Sequence, residues 1–294
     1  MEGRKWEELP KDCLVNIMEK VGLEPLLLDI PFVCKSWHKA SLDPKCWKIL
    51  DFSMLNNKSQ SHYIVQNYIK RFQIPNFSNA KFMKLLARRS SGSAMFLVLP
   101  SDWNIDILEY FSDECPELTY LNASMMRLSQ EHHNSFAELV GKFKHLQVLE
   151  LNRFVEPIGG ILEQIGTNCN NFTALFTLGM ITVEEASAIT SFIPRIPFLS
   201  LKGAVLHRDA LLIIIRGCKE LAVLDISYCV GVEIDGEILK EVGHIQHFRY
   251  EGCKKQVSDE EVGFLANWFE ERKWKEEEEA LSKDGYVMNG WDED

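Results

Sequence analysis

The chain has 294 residues, 46% apolar and 26% charged, with a net charge of −11. This composition excludes a disordered or collagen-like chain, supplies apolar surface for a sizeable core and, at ~150 residues per domain, suggests about two domains. The longest aliphatic run, Leu211 to Ile215, falls far short of the ~20 apolar residues of a membrane span, and Met1 to Lys11 is too polar for a signal peptide. A soluble, intracellular protein with no membrane partner is expected, placed in the nucleus or the cytoplasm.

The charge is uneven along the chain. Residues 1–52 are nearly balanced, with 8 basic and 9 acidic side chains. Residues 53–92 hold 7 basic and no acidic ones, and residues 258–294 hold 4 basic and 13 acidic ones. Such blocks predict segments with separate tasks.

Leu14, Ile17, Met18 and Val21 follow helical spacing just after Pro10, a residue favoured in a first helical turn, and Gly22 ends the stripe. A second stripe, Ile30, Val33, Cys34 and Trp37, predicts another helix with Pro31 as an early position. Asp43-Pro44 then turns the chain toward Trp47, Leu50 and Phe52. Two or three short helices in about fifty residues barely bury enough surface to stand alone, so a partner or the following segment is expected to cover part of them.

The ordered set Trp6-Glu-Glu-Leu9-Pro10-x-Asp12-x-Leu14-x-x-Ile17, Val33-Cys34-Lys35-Ser36-Trp37 and Asp43-Pro44-x-Cys46-Trp47 resembles the F-box motif of plant F-box proteins that also carry leucine-rich repeats. The resemblance implies a module, residues 1–52, that docks on the Skp adaptor and through it joins the cullin and RING subunits of an SCF ubiquitin ligase. It implies that Leu9, Pro10, Leu14, Ile17, Val33, Cys34, Lys35 and Trp37 face the adaptor or hold the helices that do. For Trp37 and Trp47, packing within the module and direct contact stand side by side. Glu24 to Leu28 departs from the usual spacing, and no contact is carried over from it.

Residues 53–92 read as a basic helical segment, a first irregular repeat. The aromatics Tyr63, Tyr68, Phe72, Phe77 and Phe82 sit at helical spacing among apolar residues, which favours core packing over base stacking, so no nucleic-acid partner is expected. A solvated basic face leaning toward the acidic repeats is the expectation.

From residue 93 to 256 the pattern L-x-x-L-x-L recurs with conservative substitutions. Its central residues are 97, 121, 149, 175, 199, 224 and 248, spaced by 24, 28, 26, 24, 25 and 24. Seven occurrences in the ~20–29-residue window mark leucine-rich repeats. Candidate helices lie between them at Phe136/Leu139/Val140, Ile161/Leu162/Ile165, Val183/Ala186/Ile189, Leu211/Leu212/Ile215 and Ile238/Leu239/Val242. One strand and one helix per repeat cannot bury an apolar face alone, so the repeats stack. Trp47-x-x-Leu50-x-Phe52 reads as an earlier strand of the same kind. The fold class is therefore α/β: a short all-α module followed by a curved solenoid, parallel strands inside and helices outside, with a capping helix at residues 257–275 and an acidic tail at 276–294. The cap rests on Ser258-x-x-Glu261 followed by Val262, Leu265, Trp268 and Phe269.

None of the eight cysteines forms a C-x-x-C pair, and an intracellular setting predicts free thiols. Cys115, Cys169 and Cys218 each precede the first apolar motif position by three residues, resembling the cysteine-containing leucine-rich repeat common in F-box proteins. Cys229 and Cys253 occupy the matching place after their strands. One thiol per repeat implies packing rather than chemistry.

Strand alternation sends the motif leucines inward and the intervening residues onto the concave surface. One column is Phe96, Tyr120, Val148, Ala174, Phe198, Val223 and His247; the other is Val98, Asn122, Glu150, Phe176, Ser200, Asp225 and Arg249. Phe96, Tyr120, Asn122, Glu150, Phe176, Phe198, Asp225 and Arg249 are the candidate contacts for a protein substrate, whose identity the sequence does not encode. Loops or the tail covering the apolar column is the alternative. No hydrolase elbow, phosphate loop, zinc-helix motif or dinucleotide fingerprint is present. His244-x-x-His247 with Cys253 is a poor metal set, because positions three apart on a strand face opposite ways. No catalytic residue, metal or cofactor is expected. A non-catalytic substrate-recognition subunit is the leading reading, and an interaction scaffold with no ubiquitin role is the alternative.

Overall fold

The computed structural model describes residues 6–55, 62–100, 103–123, 130–152 and 157–255. The predicted capping helix and acidic tail lie outside the described residues.

After a 3-10 turn at Trp6–Glu8, helices α1 (Lys11–Met18), α2 (Leu23–Leu28) and α3 (Lys35–Ser41) lead to a 3-10 turn at Pro44–Trp47 and strand β1 (Ile49–Asp51). Helices α4 (His62–Phe72) and α5 (Asn79–Ser90) follow. The repeats supply β2 (Phe96–Val98), α6 (Ile105–Glu114), β3 (Tyr120–Asn122), α7 (Gln130–Lys142), β4 (Val148–Asn152), α8 (Gly159–Asn168), β5 (Ala174–Leu178), β6 (Met180–Ile181), α9 (Val183–Phe192), β7 (Phe198–Ser200), β8 (Val205–Leu206), α10 (Arg208–Gly217), β9 (Val223–Asp225), α11 (Gly236–Glu241) and β10 (His247–Arg249).

The stripe from Ile30 to Trp37 is not one helix. A 3-10 turn takes Ile30–Phe32, and Cys34 is extended (φ −163°) before α3 begins at Lys35. Val33 is left on an exposed corner. The unassigned Glu24 to Leu28 is instead helical: Pro25 sits in the first turn of α2, where its missing N–H leaves no helical bond unmade, and Leu26, Leu27 and Leu28 are buried.

Eight strands form one all-parallel sheet in the order β1-β2-β3-β4-β5-β7-β9-β10, with the motif leucines in register: Leu50 opposite Leu97, then Leu121, Leu149, Leu175, Leu199 and Leu224, and finally Phe248. The six leucines from Leu50 to Leu199 and Leu224 are fully buried. β1 is the first strand of this ladder, and α4 and α5 fill the coil between β1 and β2. A second ladder missed by the period search pairs β6 with β8 and continues through Val230 to Lys254. Polar residues cap several helices: Ser78, Asn104, Thr182 and Asp235 each accept a backbone N–H at the start of α5, α6, α9 and α11.

One core cluster runs from Leu14 to Ile245, so the N-terminal helices and the repeats share a single interior. Trp47 is fully buried at the join, where its Nε1 donates to Ser41 O at 2.9 Å. Phe52 meets Phe111 with ring centroids 5.8 Å apart. The thiols act as the repeat reading implies. Cys169, Cys229 and Cys253 donate to the carbonyls of Phe143, Leu201 and Ile226 in the preceding coils, at 3.4, 3.0 and 3.0 Å. Burial pushes Cys46, Cys169 and Cys218 up to about 11 and Cys115 and Cys229 up to about 12, which keeps all five neutral at physiological pH.

The basic helices depart from the expected lean toward acidic repeats. The Arg71 guanidinium lies 3.8 Å from the Phe32 ring centroid, Arg89 4.8 Å from Trp47, and the Lys84 ammonium 4.8 Å from Tyr110. Arg88 Nε donates to the Tyr110 hydroxyl at 2.9 Å. Among the described residues these cations meet aromatic faces or a phenol hydroxyl rather than carboxylates. Tyr68 and Phe82 are buried and pack edge to face, 5.0 Å apart, which is core packing.

Candidate functional site

Two surfaces stand out. At the N-terminal end Trp6, Ile17, Phe32, Val33 and Leu42 are all exposed within about forty residues. Helix α1 explains Ile17: Leu14, Val15 and Met18 take the buried stripe, and Ile17 is carried outward, 46% exposed. Val33, on the corner before α3, is 58% exposed. Pro10 and Lys35 are exposed, Leu9 is partly buried against the core, and Leu14 at 2% exposure belongs to the interior. Cys34 Sγ lies 3.1 Å from Ser36 Oγ. Trp37 is half-buried, its Nε1 donating to Trp6 O at 3.4 Å, so it fastens the N-terminal turn to α3. Lys11 Nζ reaches Asp43 Oδ2 at 2.7 Å, and this bond holds the Asp43 carboxyl below its ordinary range.

The second surface is the concave face. The register places Ile49, Phe96, Tyr120, Val148, Ala174, Phe198, Val223 and His247 in one row, and Asp51, Val98, Asn122, Glu150, Phe176, Ser200, Asp225 and Arg249 in the other. Sequence reasoning omitted Ile49 and Asp51. Ala174 and Ser200 are nearly covered, Ile49, Asp51, His247 and Arg249 at the two ends are exposed, and the others are part-exposed. Phe96 and Tyr120 stack with centroids 3.8 Å apart and planes 5° apart. Phe176 and Phe198 pack at 4.9 Å and 36°. The Tyr120 hydroxyl donates to Glu150 Oε2 at 2.5 Å; burial first, and then this bond, raise its pKa, so the phenol stays protonated and the carboxylate stays oriented. Arg249 Nη1 lies 4.0 Å from Asp225 Oδ2. Past the strand ends the face deepens into a cavity of about 550 Å³ lined by Glu150, Phe176, Leu178, Ser200, Lys202 and Tyr228, among others. Lys202 and Tyr228 lie in turns beyond the two rows, so strand alternation missed them; only turn chemistry could have pointed there.

His244 and His247 are not brought into a metal-binding set. His244 Nδ1 lies 3.1 Å from Glu241 O in a 3-10 turn, His247 faces the concave side, and the Cys253 thiol is engaged with Ile226 O.

The helical entry and its exposed apolar corner coincide with a sequence match. Residues 6–49 match the F-box domain family. An F-box therefore opens this chain. The repeats that follow build an α/β leucine-rich-repeat-like solenoid. Most of the chain is similar to plant proteins named as F-box or F-box/LRR-repeat proteins. An F-box/LRR-repeat protein of Arabidopsis thaliana is 28% identical over 235 residues, 79% of this chain and 75% of the relative. The F-box protein FBW2 of the same plant is 24% identical over 249 residues, 82% of this chain and 73% of the relative. A putative F-box/LRR-repeat protein 23, also from Arabidopsis thaliana, is 24% identical over 245 residues, 81% of this chain and 51% of the relative. Among the described residues no helix is long and apolar enough to cross a membrane.

Proposed function

We propose that this chain is the non-catalytic substrate-recognition subunit of an SCF-type ubiquitin ligase, acting in the nucleus or cytoplasm. The F-box binds the Skp adaptor and, through it, the cullin and RING subunits. The concave repeat face holds a target protein. The contribution to catalysis is proximity: a bound target keeps its lysines near a ubiquitin-charged enzyme supplied by the rest of the complex.

The observation that carries this reading is the F-box match over residues 6–49 joined to a solenoid through one continuous core. A shared interior ties the two surfaces rigidly, as a subunit that positions one protein against another requires. Ile17 and Val33 are the apolar anchors for the adaptor, with Pro10, Lys35, Cys34, Leu9 and Trp37 around them and Leu14 supporting α1 from within. On the concave face Phe96, Tyr120, Asn122, Glu150, Phe176, Phe198, Asp225 and Arg249 supply aromatic surface with isolated charges, the composition of a protein-binding site. Co-purification of the full chain with the Skp adaptor tests the assignment. Retention of the adaptor is expected, and its absence favours a scaffold without a ligase role.

A further inference from the structure

Tyr228 belongs to neither concave row. It is the third residue of a four-residue turn, Ile226–Cys229, closed by the Cys229 N–H donating to Ile226 O at 3.1 Å. The flanking coils make the same turn at Leu201–Ala204 and Tyr250–Cys253, closed at 2.9 and 3.3 Å. The equivalence is fixed across the ladder. Gly203 N donates to Ser227 O at 2.9 Å, and Tyr228 N donates to Glu251 O at 2.8 Å. In the neighbours the third residue is glycine, Gly203 at φ +76° and Gly252 at φ +74°. Such a turn demands a left-handed residue, for which glycine or asparagine is suited. Tyr228 adopts the same conformation at φ 62° with a full side chain.

Among the described residues two other non-glycine side chains are left-handed, Gln73 and Ser91, and both follow the ends of helices, where that conformation closes the last turn. Tyr228 has no such local reason. Its side chain is not hidden either, being 62% exposed. The next coil makes room for it: a Cβ on Gly252 would lie 2.6 Å from the Tyr228 ring. A strained, exposed aromatic with a cleared berth at the rim of a cavity points to binding.

We infer that Tyr228 and Lys202 form a clamp for a short segment of the partner protein in which an apolar side chain adjoins an acidic one. The inference rests on the concave-face reading above and names the chemistry of its occupant. Phe176, Leu178 and Tyr228 wall the cavity and receive the apolar side chain. The charges decide its neighbour. Glu150 already accepts the Tyr120 hydroxyl, and Asp225 accepts the Ser227 N–H at 2.9 Å while facing Arg249. The Lys202 ammonium forms no ion pair among the described residues and stands 5.6 Å from the Tyr228 ring centroid. Glu150 keeps its charge but turns Oε2 to the Tyr120 hydroxyl, whereas exposed Lys202 is the cationic side chain lining the cavity, so an aspartate or glutamate belongs beside it.

The test uses the full chain and three fluorescent nonapeptide pools, fixed at a central Leu-Asp, Leu-Ser or Leu-Lys and randomised elsewhere. The wild-type chain is expected to retain the Leu-Asp pool about tenfold better than the Leu-Lys pool, and Lys202→Glu to reverse that order. Tyr228→Asn, whose asparagine accepts the left-handed turn, should lower retention about fivefold or more without lowering the thermal midpoint. Equal retention of the three pools by the wild type, or a Tyr228→Asn protein that melts earlier yet retains peptide unchanged, overturns the clamp. Loss of retention in Tyr120→Ala/Phe198→Ala, with Lys202→Glu and Tyr228→Asn both silent, overturns the clamp but leaves the concave-face reading standing. No retention by the wild type, or none of the variants differing from it, overturns both.

Discussion

The F-box and the repeat array solve the same burial problem in opposite ways. From residue 6 to 47 the chain turns through three short helices and three 3-10 turns and leaves five large apolar side chains exposed; the described residues from 94 to 255, a far longer stretch, leave six. The repeats stack identical units, each burying its neighbour's apolar face, and set their variation on the concave rows. The F-box has no such neighbour on its outer side and keeps an apolar corner there. A regular array hides its hydrophobicity and displays diverse side chains, whereas the irregular helical cluster displays an apolar patch of the kind that docks a partner.

The shared interior is where this contrast breaks first. Trp47→Ala removes a fully buried indole between the two regions, together with the hydrogen bond to Ser41 O and the face under Arg89. A loss of about 3–5 kcal/mol is expected in urea denaturation. A loss under ~1 kcal/mol would mean that the regions are energetically separate. For the same reason deletion of residues 1–52 is a poor test of adaptor binding, since it strips Trp47, Leu50 and Phe52 from the core.

The double variant Ile17→Asp/Val33→Asp puts charge on the exposed corner without touching the core. Adaptor affinity should fall by about 100-fold or more, read by titration calorimetry, with little change in unfolding. Unaltered affinity would move the interface elsewhere.

A third outcome separates the regions by pH. The five buried thiols have folded pKa values raised to about 11 or 12, above the ordinary value of 9.0. Their folded state holds protons that the unfolded chain releases, so this stability is fully present below about pH 9 and is lost as pH rises toward 11 to 12. Four of the five lie in the repeats, and the array should loosen first on alkaline titration. At neutral pH a thiol reagent should modify exposed Cys13 ahead of these five.

The smallest effect is expected on the convex side. Arg216 pairs with Glu241 at 2.9 Å and with Glu237 at 3.2 Å, yet the guanidinium is half exposed. Arg216→Ala should cause little or no loss of stability, read as an unchanged midpoint in urea. A larger loss would give the helix layer a role this account does not assign to it.

Much of the array was legible because one rule repeats. Leucine spacing determines which residue enters the core, and alternation then sets both concave rows, so Tyr120 and Glu150 face one another where the motif implies. The F-box was harder to read. Six residues of α2 give too little periodicity to separate a helix from a loop, and the extended Cys34 breaks a stripe whose spacing reads as continuous. Helix α6 was missed although Ile107, Leu108 and Phe111 carry helical spacing and are buried. Lys202 and Tyr228 were out of reach for a different reason. The strain at Tyr228 is a backbone property, visible only beside Gly203 and Gly252 in equivalent turns.

The central claim is that one rigid chain joins a constant adaptor surface to a selective concave one. Proximity labelling from the full chain with the proteasome inhibited tests it most directly, comparing the wild type, Ile17→Asp/Val33→Asp and Tyr120→Ala/Phe198→Ala. A set of proteins should be labelled by the wild type and by the F-box variant and lost with the concave variant, and their ubiquitin attachment should require both surfaces intact. Identical labelling and ubiquitin attachment across all three chains would contradict the account.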